Sequence, residues 1–172
     1  MNKILFPLVA ERINAMHKAD QDMRRSNVSN PDVWDEGLDY RNTEVLKLNV
    51  VFIGWFAASK VGLRASRNAA LIVRHADHDI AFQRHCLELM KACANGDADL
   101  VEIAYLEDRI CVNLGGLQIY GTQFHEVGGV DVPRPIWNPR WVDHRRKKMG
   151  LSTLAEGIAA MRLKYAGKWK KR

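Results

Sequence analysis

Residues 74–79, Arg-His-Ala-Asp-His-Asp, hold the densest group of chemically active side chains in the 172-residue chain, and Gln83 follows closely. Two imidazoles, two carboxylates and a carboxamide in so short a stretch are costly to bury and rarely cluster where packing alone is at stake. The stretch also falls at a predicted junction between two helices. This pattern indicates a polar pocket in which a histidine could transfer protons, since the ordinary pKa of the imidazole is near 6.5.

His75 is the strongest catalytic candidate of this group. A histidine that acts as a general acid or base needs a carboxylate to orient it, and Asp77, Asp79 and Asp20 are the alternatives. Asp79 is better explained as the N-cap of the following helix, so we predict His75, Asp77 and Asp20 as the catalytic residues. The competing interpretation is a histidine that only stabilises the C-terminus of its own helix through the helix dipole.

Polar side chains elsewhere in the chain predict the walls of the same pocket. Asp20 and Arg24 lie one helical turn apart, although this spacing also fits a simple surface ion pair. Gln21 falls on the apolar side of its predicted helix, where a carboxamide needs a hydrogen-bond partner such as Gln83 or Gln123. The predicted substrate-binding residues are Gln21, Arg24, Trp55, Gln83, Tyr120, Thr122 and Gln123.

Neither a metal nor an organic cofactor is expected. His75 and Asp79 with Asp20 or Asp22 could approach a metal, but zinc normally takes several His or Cys ligands, and the chain has no HExxH or CxxC motif. It also lacks a phosphate-binding glycine loop and a nucleophile elbow. The chemistry left to His75 is hydrolysis by an activated water, or a lyase-type proton abstraction.

The elements that must position these residues are predicted to be mainly α-helical, in a single-domain bundle of about five helices with one small β-hairpin. Helical periodicity covers residues 5–25, 64–75, 80–94, 99–108 and 152–165, and a further helix is capped by Asn42 or Thr43. A hairpin is predicted from residues 110–112 and 117–120 around a Gly-Gly turn. Residues 26–40 and 128–139 are expected to be irregular, and a loop is favoured around Trp55.

The net charge of +6 is concentrated near the C-terminus. Residues 143–172 hold ten Lys or Arg against two acids, and we predict a globular domain over 1–165 with a basic tail at 166–172. The tail could contact nucleic acid if Arg145, Arg146, Lys147 and Lys148 join it in one basic face. A solvated tail is favoured, because no nucleic-acid-binding motif accompanies it.

No stretch approaches the roughly 20 apolar residues that a membrane span requires. The N-terminus carries no convincing signal-peptide cleavage site. We therefore expect a cytoplasmic protein with no membrane partner, and the sequence leaves its oligomeric state open.

Several motifs together resemble a bacterial family known only as domain of unknown function 6624. In chain order they are Asp20-Gln21 with Arg24; His75-Ala76-Asp77 with Asp79 and Phe82-Gln83; Ala104-Tyr105-Leu106 with Asp108-Arg109; Tyr120-Gly121-Thr122-Gln123; and Val142-Asp143 with Arg145-Arg146, Gly150-Leu151 and Leu154. The resemblance implies a mostly helical domain with a short hairpin, and it implies no reaction. Ile80 stands where the family pattern has proline, which leaves the Asp79 cap intact.

Two hypotheses follow for the function. The first is a small enzyme without an organic cofactor, in which His75 performs acid–base chemistry on a small polar substrate. The second is a module that binds a ligand or a partner peptide, with a polar cluster that is structural. An open cleft at His75 would favour the enzyme, whereas a closed and fully hydrogen-bonded network would favour the module.

Overall fold

The computed structural model describes residues 4–27, 33–93 and 96–165, which fall into two compact units, Met1–Ile103 and Ala104–Arg172. The described residues form eight α-helices and one antiparallel hairpin, so the mainly helical prediction is confirmed while the helix count is higher than expected. The predicted basic tail lies outside the described residues. The helices are α1 Pro7–Asn27, α2 Leu38–Ile53, α3 Ala58–Val61, α4 Leu63–Arg74, α5 Ile80–Ala92, α6 Leu100–Asn113, α7 Val142–Lys148 and α8 Leu154–Tyr165.

The first unit is organised around α4, which packs against α1, α2, α3 and α5. Its apolar residues recur at the helical period, with Ala65, Ala69, Ile72 and Val73 all at most 2% exposed. This buried stripe lies at the centre of the core of the unit. Because His75 directly follows the stripe as the C-cap of α4, its position is fixed by the packing of the helix.

The junction between α4 and α5 has the cap that the sequence predicts. The Asp79 carboxylate accepts a hydrogen bond from the Phe82 backbone N–H at 2.8 Å, and Lys47 pairs with its other oxygen at 2.7 Å. Both carboxylate oxygens of Asp79 thus have partners at the start of α5. Its role is to cap that helix, as expected.

Trp55 lies in a loop between α2 and α3, as favoured from the sequence, although residues 50–53 before it are helical. Gly54 ends α2 with a φ of 66°, a conformation that suits glycine. This turn directs Trp55, Phe56 and Ala57 into the core, where each is at most 1% exposed.

The hairpin predicted over residues 110–120 is wrong. Residues 110–113 belong to α6, where Ile103, Leu106 and Ile110 continue one buried face at helical spacing. Gly115 has a φ of 74°, and the N–H groups of Gly116 and Gly115 donate to the Cys111 and Val112 carbonyls. This is a Schellman helix stop, and it uses the consecutive glycines that a hairpin turn would also use.

The hairpin lies further along, and its turn and second strand fall in the segment 128–139, expected to be irregular. Strand β1, Phe124–Val127, pairs antiparallel with β2, Val130–Pro133, across Gly128 and Gly129. Both glycines have positive φ, as a two-residue turn of this kind requires. Helix α7, which follows, has no counterpart among the predicted elements.

Asp108 organises the second unit ahead of the hairpin. Its side chain is fully buried and accepts hydrogen bonds from the backbone N–H groups of Ile119, Tyr120 and Thr122 at 2.6–2.9 Å, and from the Thr122 hydroxyl at 2.9 Å. Burial raises the pKa of Asp108, while these donors oppose the rise. The carboxylate therefore fixes the loop over residues 119–122.

None of the helices formed by the described residues is long and apolar enough to cross a membrane.

We expect Asp108→Asn to lower the free energy of unfolding by about 3 kcal/mol, because the amide replaces an acceptor oxygen with a donor among buried N–H groups. Urea denaturation followed by circular dichroism measures the loss. Glu126→Gln, on the exposed surface of β1, removes the same charge and should change the stability little. Equal effects of the two substitutions would contradict the anchoring role of Asp108.

Candidate active site

His75 and Asp20 form a hydrogen-bonded pair in the first unit. The Nδ1 atom of His75 lies 2.9 Å from Oδ1 of Asp20, which is only 1% exposed. Of the three carboxylates considered as its partner, the structure places Asp20 at hydrogen-bond distance. The pair joins α1 to the end of α4, two helices that pack against each other.

Arg24 connects Asp20 to a second carboxylate that the sequence reasoning missed. Its Nε donates to Asp20 Oδ1 at 2.8 Å, and its Nη2 donates to both oxygens of Asp39 at 2.7 and 2.9 Å. The guanidinium carbon lies 5.3 Å from the centre of the Trp34 ring. Arg24 is therefore held by two acids and an aromatic face, and it positions them in turn.

Gln21 completes what we call the Asp20 network, which consists of Asp20, Gln21, Arg24, Asp39 and His75. The Gln21 Nε2 group donates to Oδ2 of Asp20 at 2.7 Å. The predicted need of Gln21 for a hydrogen-bond partner is thus met by Asp20, in place of Gln83 or Gln123. Both oxygens of Asp20 are occupied, which is the condition for keeping a carboxylate charged away from water.

These contacts decide the charge of Asp20. Burial raises the pKa of its carboxyl. Hydrogen bonds from His75 and Gln21 and the charges of His75 and Arg24 outweigh this effect and lower the pKa to about 2. Asp20 is therefore a carboxylate at any pH near neutrality, and it accepts rather than donates the hydrogen bond to His75 Nδ1.

The other ring nitrogen of His75 remains available. Within the described residues Nε2 makes no hydrogen bond and is not fully buried. The His75 side chain keeps 23% of its surface exposed. With Nδ1–H directed at Asp20, the neutral ring presents an unprotonated Nε2 to solvent. This is the arrangement in which an imidazole can take up a proton and later return it.

Asp20, Asp39 and His75 also meet the distance condition for a metal site, since one ligand atom from each lies within 4.8 Å of the others. The carboxylate oxygens that a cation would use already accept hydrogen bonds from Arg24, Gln21 and His75. A cation would have to displace the guanidinium of Arg24. The donor set therefore fits Arg24 better than it fits a metal.

His17 is a further residue that the sequence reasoning missed. It lies three residues before Asp20 on α1 and is half-buried. Burial lowers the pKa of His17, while the charge of Asp20 opposes this and that of His75 adds to it. The spacing of His17 and Asp20 on one helical face is a usable signal. Asp39 and Trp34 offer none, because residues 26–40 carry turn-forming residues that predict an irregular segment.

The remaining predicted residues of the first unit have structural surroundings. Gln83 is fully buried and its Nε2 lies 3.2 Å from the carbonyls of Val73 and Arg74 and 3.3 Å from Asp77 Oδ1. It fastens α5 to the end of α4. Asp77 is exposed beside this contact and Trp55 is in the core, so the structure does not bring either of them into the Asp20 network.

The predicted residues of the second unit gather around Asp108. Tyr120 donates its hydroxyl to Glu107 Oε2 at 3.0 Å, and burial raises its pKa. Thr122 is 6% exposed, and Gln123 Nε2 lies 3.1 Å from the Thr122 hydroxyl. These three side chains hold the segment that follows α6.

The four basic residues proposed as one nucleic-acid-binding face do not share an environment. Arg146 is 4% exposed and donates to backbone carbonyls, and Arg145 donates to the carbonyls of Ile119 and Trp137. Only Lys147 and Lys148 are exposed. Two of the four basic side chains of α7 are thus hydrogen-bonded within the second unit.

Comparison with protein-family models matches residues 7–170 to a family of unknown function, DUF6624. Searches of curated proteins and of solved structures give no match.

The low pKa of Asp20 makes the free energy of unfolding decrease in acid. A carboxyl with a pKa near 3.8 in the unfolded chain and about 2 in the folded protein stabilises the fold above pH 4 and loses this contribution as the pH falls towards 2. We expect the loss to be about 2 kcal/mol. Urea denaturation between pH 5 and pH 2 measures it.

Asp20→Asn should remove this part of the acid dependence. Glu11→Gln, at an exposed position of the same helix, is the matched control and should keep it. If the Asp20→Asn variant lost as much stability between pH 4 and pH 2 as the wild type, Asp20 would not be the group responsible.

Proposed function

The chain belongs to the DUF6624 family over nearly its whole length, and we propose that it is a small enzyme in which His75 acts as general acid and base on a small polar substrate. The reaction class is hydrolysis by an activated water or a lyase-type proton abstraction. The observation that carries the proposal is the pairing of His75 Nδ1 with a buried, ionised Asp20, while Nε2 makes no hydrogen bond within the described residues and the His75 side chain is 23% exposed.

Asp20 is the residue of this pair that would allow His75 to act as a base. A buried carboxylate holds the imidazole in one tautomer and stabilises the imidazolium formed when Nε2 takes a proton. Gln21 and Arg24 keep Asp20 ionised and fixed in place. In this proposal they are positioning residues, because their polar groups are directed at the carboxylates.

The substrate would approach the solvent-facing edge of His75. His17, the half-buried imidazole three residues before Asp20 on α1, is a titratable group outside the Asp20 network, and the charge of His75 adds to the lowering of its pKa by burial. We assign no role to Trp55 or Gln83 in substrate binding. The proposed enzyme uses no organic cofactor and acts in the cytoplasm.

A binding module is the second candidate, and one observation favours it. Both oxygens of Asp20 and both oxygens of Asp39 accept hydrogen bonds from within the protein. A network satisfied in this way also fastens α1, α2 and α4 together without performing chemistry. The two candidates differ in the proton-transfer role of His75 Nε2.

Nitrogen-15 NMR of the histidine rings tests the geometry first. In the neutral ring of His75 we expect the proton on Nδ1 and none on Nε2, because Asp20 accepts from Nδ1. In the Asp20→Asn variant this preference should weaken. A neutral wild-type ring protonated on Nε2 would remove the basis of the mechanism.

Activity is tested with aryl esters, aryl phosphates and β-hydroxy acids, which sample water-mediated hydrolysis and proton abstraction. On a substrate that is turned over, His75→Ala should lower kcat by at least about a hundredfold, in the range usual for general acid–base catalysis. His85→Ala, at an exposed position on α5, is the matched control and should retain full activity. An unchanged kcat in the His75 variant would reject the catalytic role and favour the binding module.

A further inference from the structure

The second unit buries a guanidinium that has no acidic partner in contact. Arg146 on α7 is 4% exposed, its Nε donates to the Ser152 carbonyl at 2.6 Å, and its Nη1 donates to the Tyr120 carbonyl at 2.7 Å. No carboxylate of the described residues lies within ion-pair distance of it. A buried cation held by neutral carbonyls alone is costly unless a further anion compensates it.

The carboxylates nearest to this guanidinium are engaged elsewhere. Asp108, Asp143 and Glu156 act on Arg146 through their charge. Asp108 accepts from the 119–122 segment, Asp143 accepts from a backbone N–H at the start of α8, and Glu156 accepts from the N-cap of α8. All three stabilise the cation at a distance, and none of them takes its remaining N–H groups.

The Nη2 group of Arg146 makes no hydrogen bond among the described residues, and it is not fully buried. Arg146 and Gly157 both line a cavity of about 280 Å³. Gly157, on α8, leaves room for Nη2, since a Cβ at that position would lie 2.9 Å from this atom.

Apolar side chains form part of the wall of this cavity, namely Phe124, Leu151, Ala160 and Met161. Polar side chains of Tyr105, Thr122 and Ser152 also line it. Its volume corresponds to about nine waters at ~30 Å³ each, which suits a compound of modest size. One buried cation together with these apolar side chains is complementary to a molecule that has one anionic group and a hydrocarbon body.

We propose that this cavity binds a small carboxylic acid, with the carboxylate on Arg146 Nη2 and the apolar body against Phe124, Leu151 and Met161. Arginine is suited to carboxylates because its permanently charged N–H groups make short, charge-assisted hydrogen bonds to them. Inorganic phosphate is less suited, because its greater charge and additional oxygens call for more donors than one guanidinium edge provides. The site shares no residue with the Asp20 network and does not depend on the function proposed for His75.

Binding is tested on the full chain with hexanoate and benzoate as probes, followed by the backbone amide resonances of Gly121, Ser152 and Gly157. We expect saturable shifts with at least one of the two acids. Hexanamide, which matches hexanoate in shape but has no charge, should bind at least about tenfold more weakly, since an unpaired buried donor rejects a ligand that lacks the matching acceptor charge. Inorganic phosphate should give no saturable shift.

Two neighbouring positions of α8 provide a matched pair of variants. Ala160 lines the cavity whereas Ala159, also exposed, does not. Ala160→Leu should weaken binding of the acid by at least about tenfold, and Ala159→Leu should leave it unchanged. Gly157→Ala, which displaces Nη2, should also weaken it. These variants leave Arg146 in place, so the test survives if removing Arg146 prevents folding.

Three results would overturn the proposal. The first is no saturable shift with hexanoate or benzoate, and the second is equal affinity for hexanoate and hexanamide. The third is an equal effect of Ala160→Leu and Ala159→Leu. Saturable binding of phosphate without binding of either acid would assign the guanidinium to a different anion and would likewise reject the carboxylic acid.

Discussion

Burying the Asp20 carboxylate imposes a constraint on the whole first unit. A charge that is 1% exposed must be matched by donors at every lone-pair direction it presents, or the fold would lose several kcal/mol. The donors come from Gln21 and Arg24 on its own helix and from His75 at the end of α4. The arrangement that could transfer protons is therefore inseparable from the one that fastens the helices.

The second unit meets the same constraint in a different way. The Asp108 carboxylate is hydrogen-bonded mainly by backbone N–H groups, so it fixes the path of the chain over residues 119–122. Arg146 then donates to the Tyr120 carbonyl of that loop. One buried anion shapes the loop, and the loop in turn orients a buried cation. The Asp108 carboxylate and the Arg146 guanidinium are thus each bonded to peptide groups of this loop and not to one another.

Sequence patterns locate the helices better than they locate the partners of each side chain. His75, Asp20 and Arg24 can be found because their types and helical spacing are visible locally. Asp39 cannot, since α2 begins within a segment dense in turn-forming residues, and its contact with Arg24 depends on tertiary packing. The hairpin is misplaced because Gly115 and Gly116 suit a helix stop as well as a turn, and only the buried face of α6 decides between them.

The separation of Asp20 and His75 by 55 residues has a kinetic consequence. Neither α1 nor α4 can form this contact from local structure, so it must await closure of the long intervening chain, whose entropic cost is met before the contact contributes any energy. The helices would then be partly ordered before the imidazole meets its carboxylate. Formation of the paired histidine would thus report the docking of α1 against α4 and not the formation of either helix.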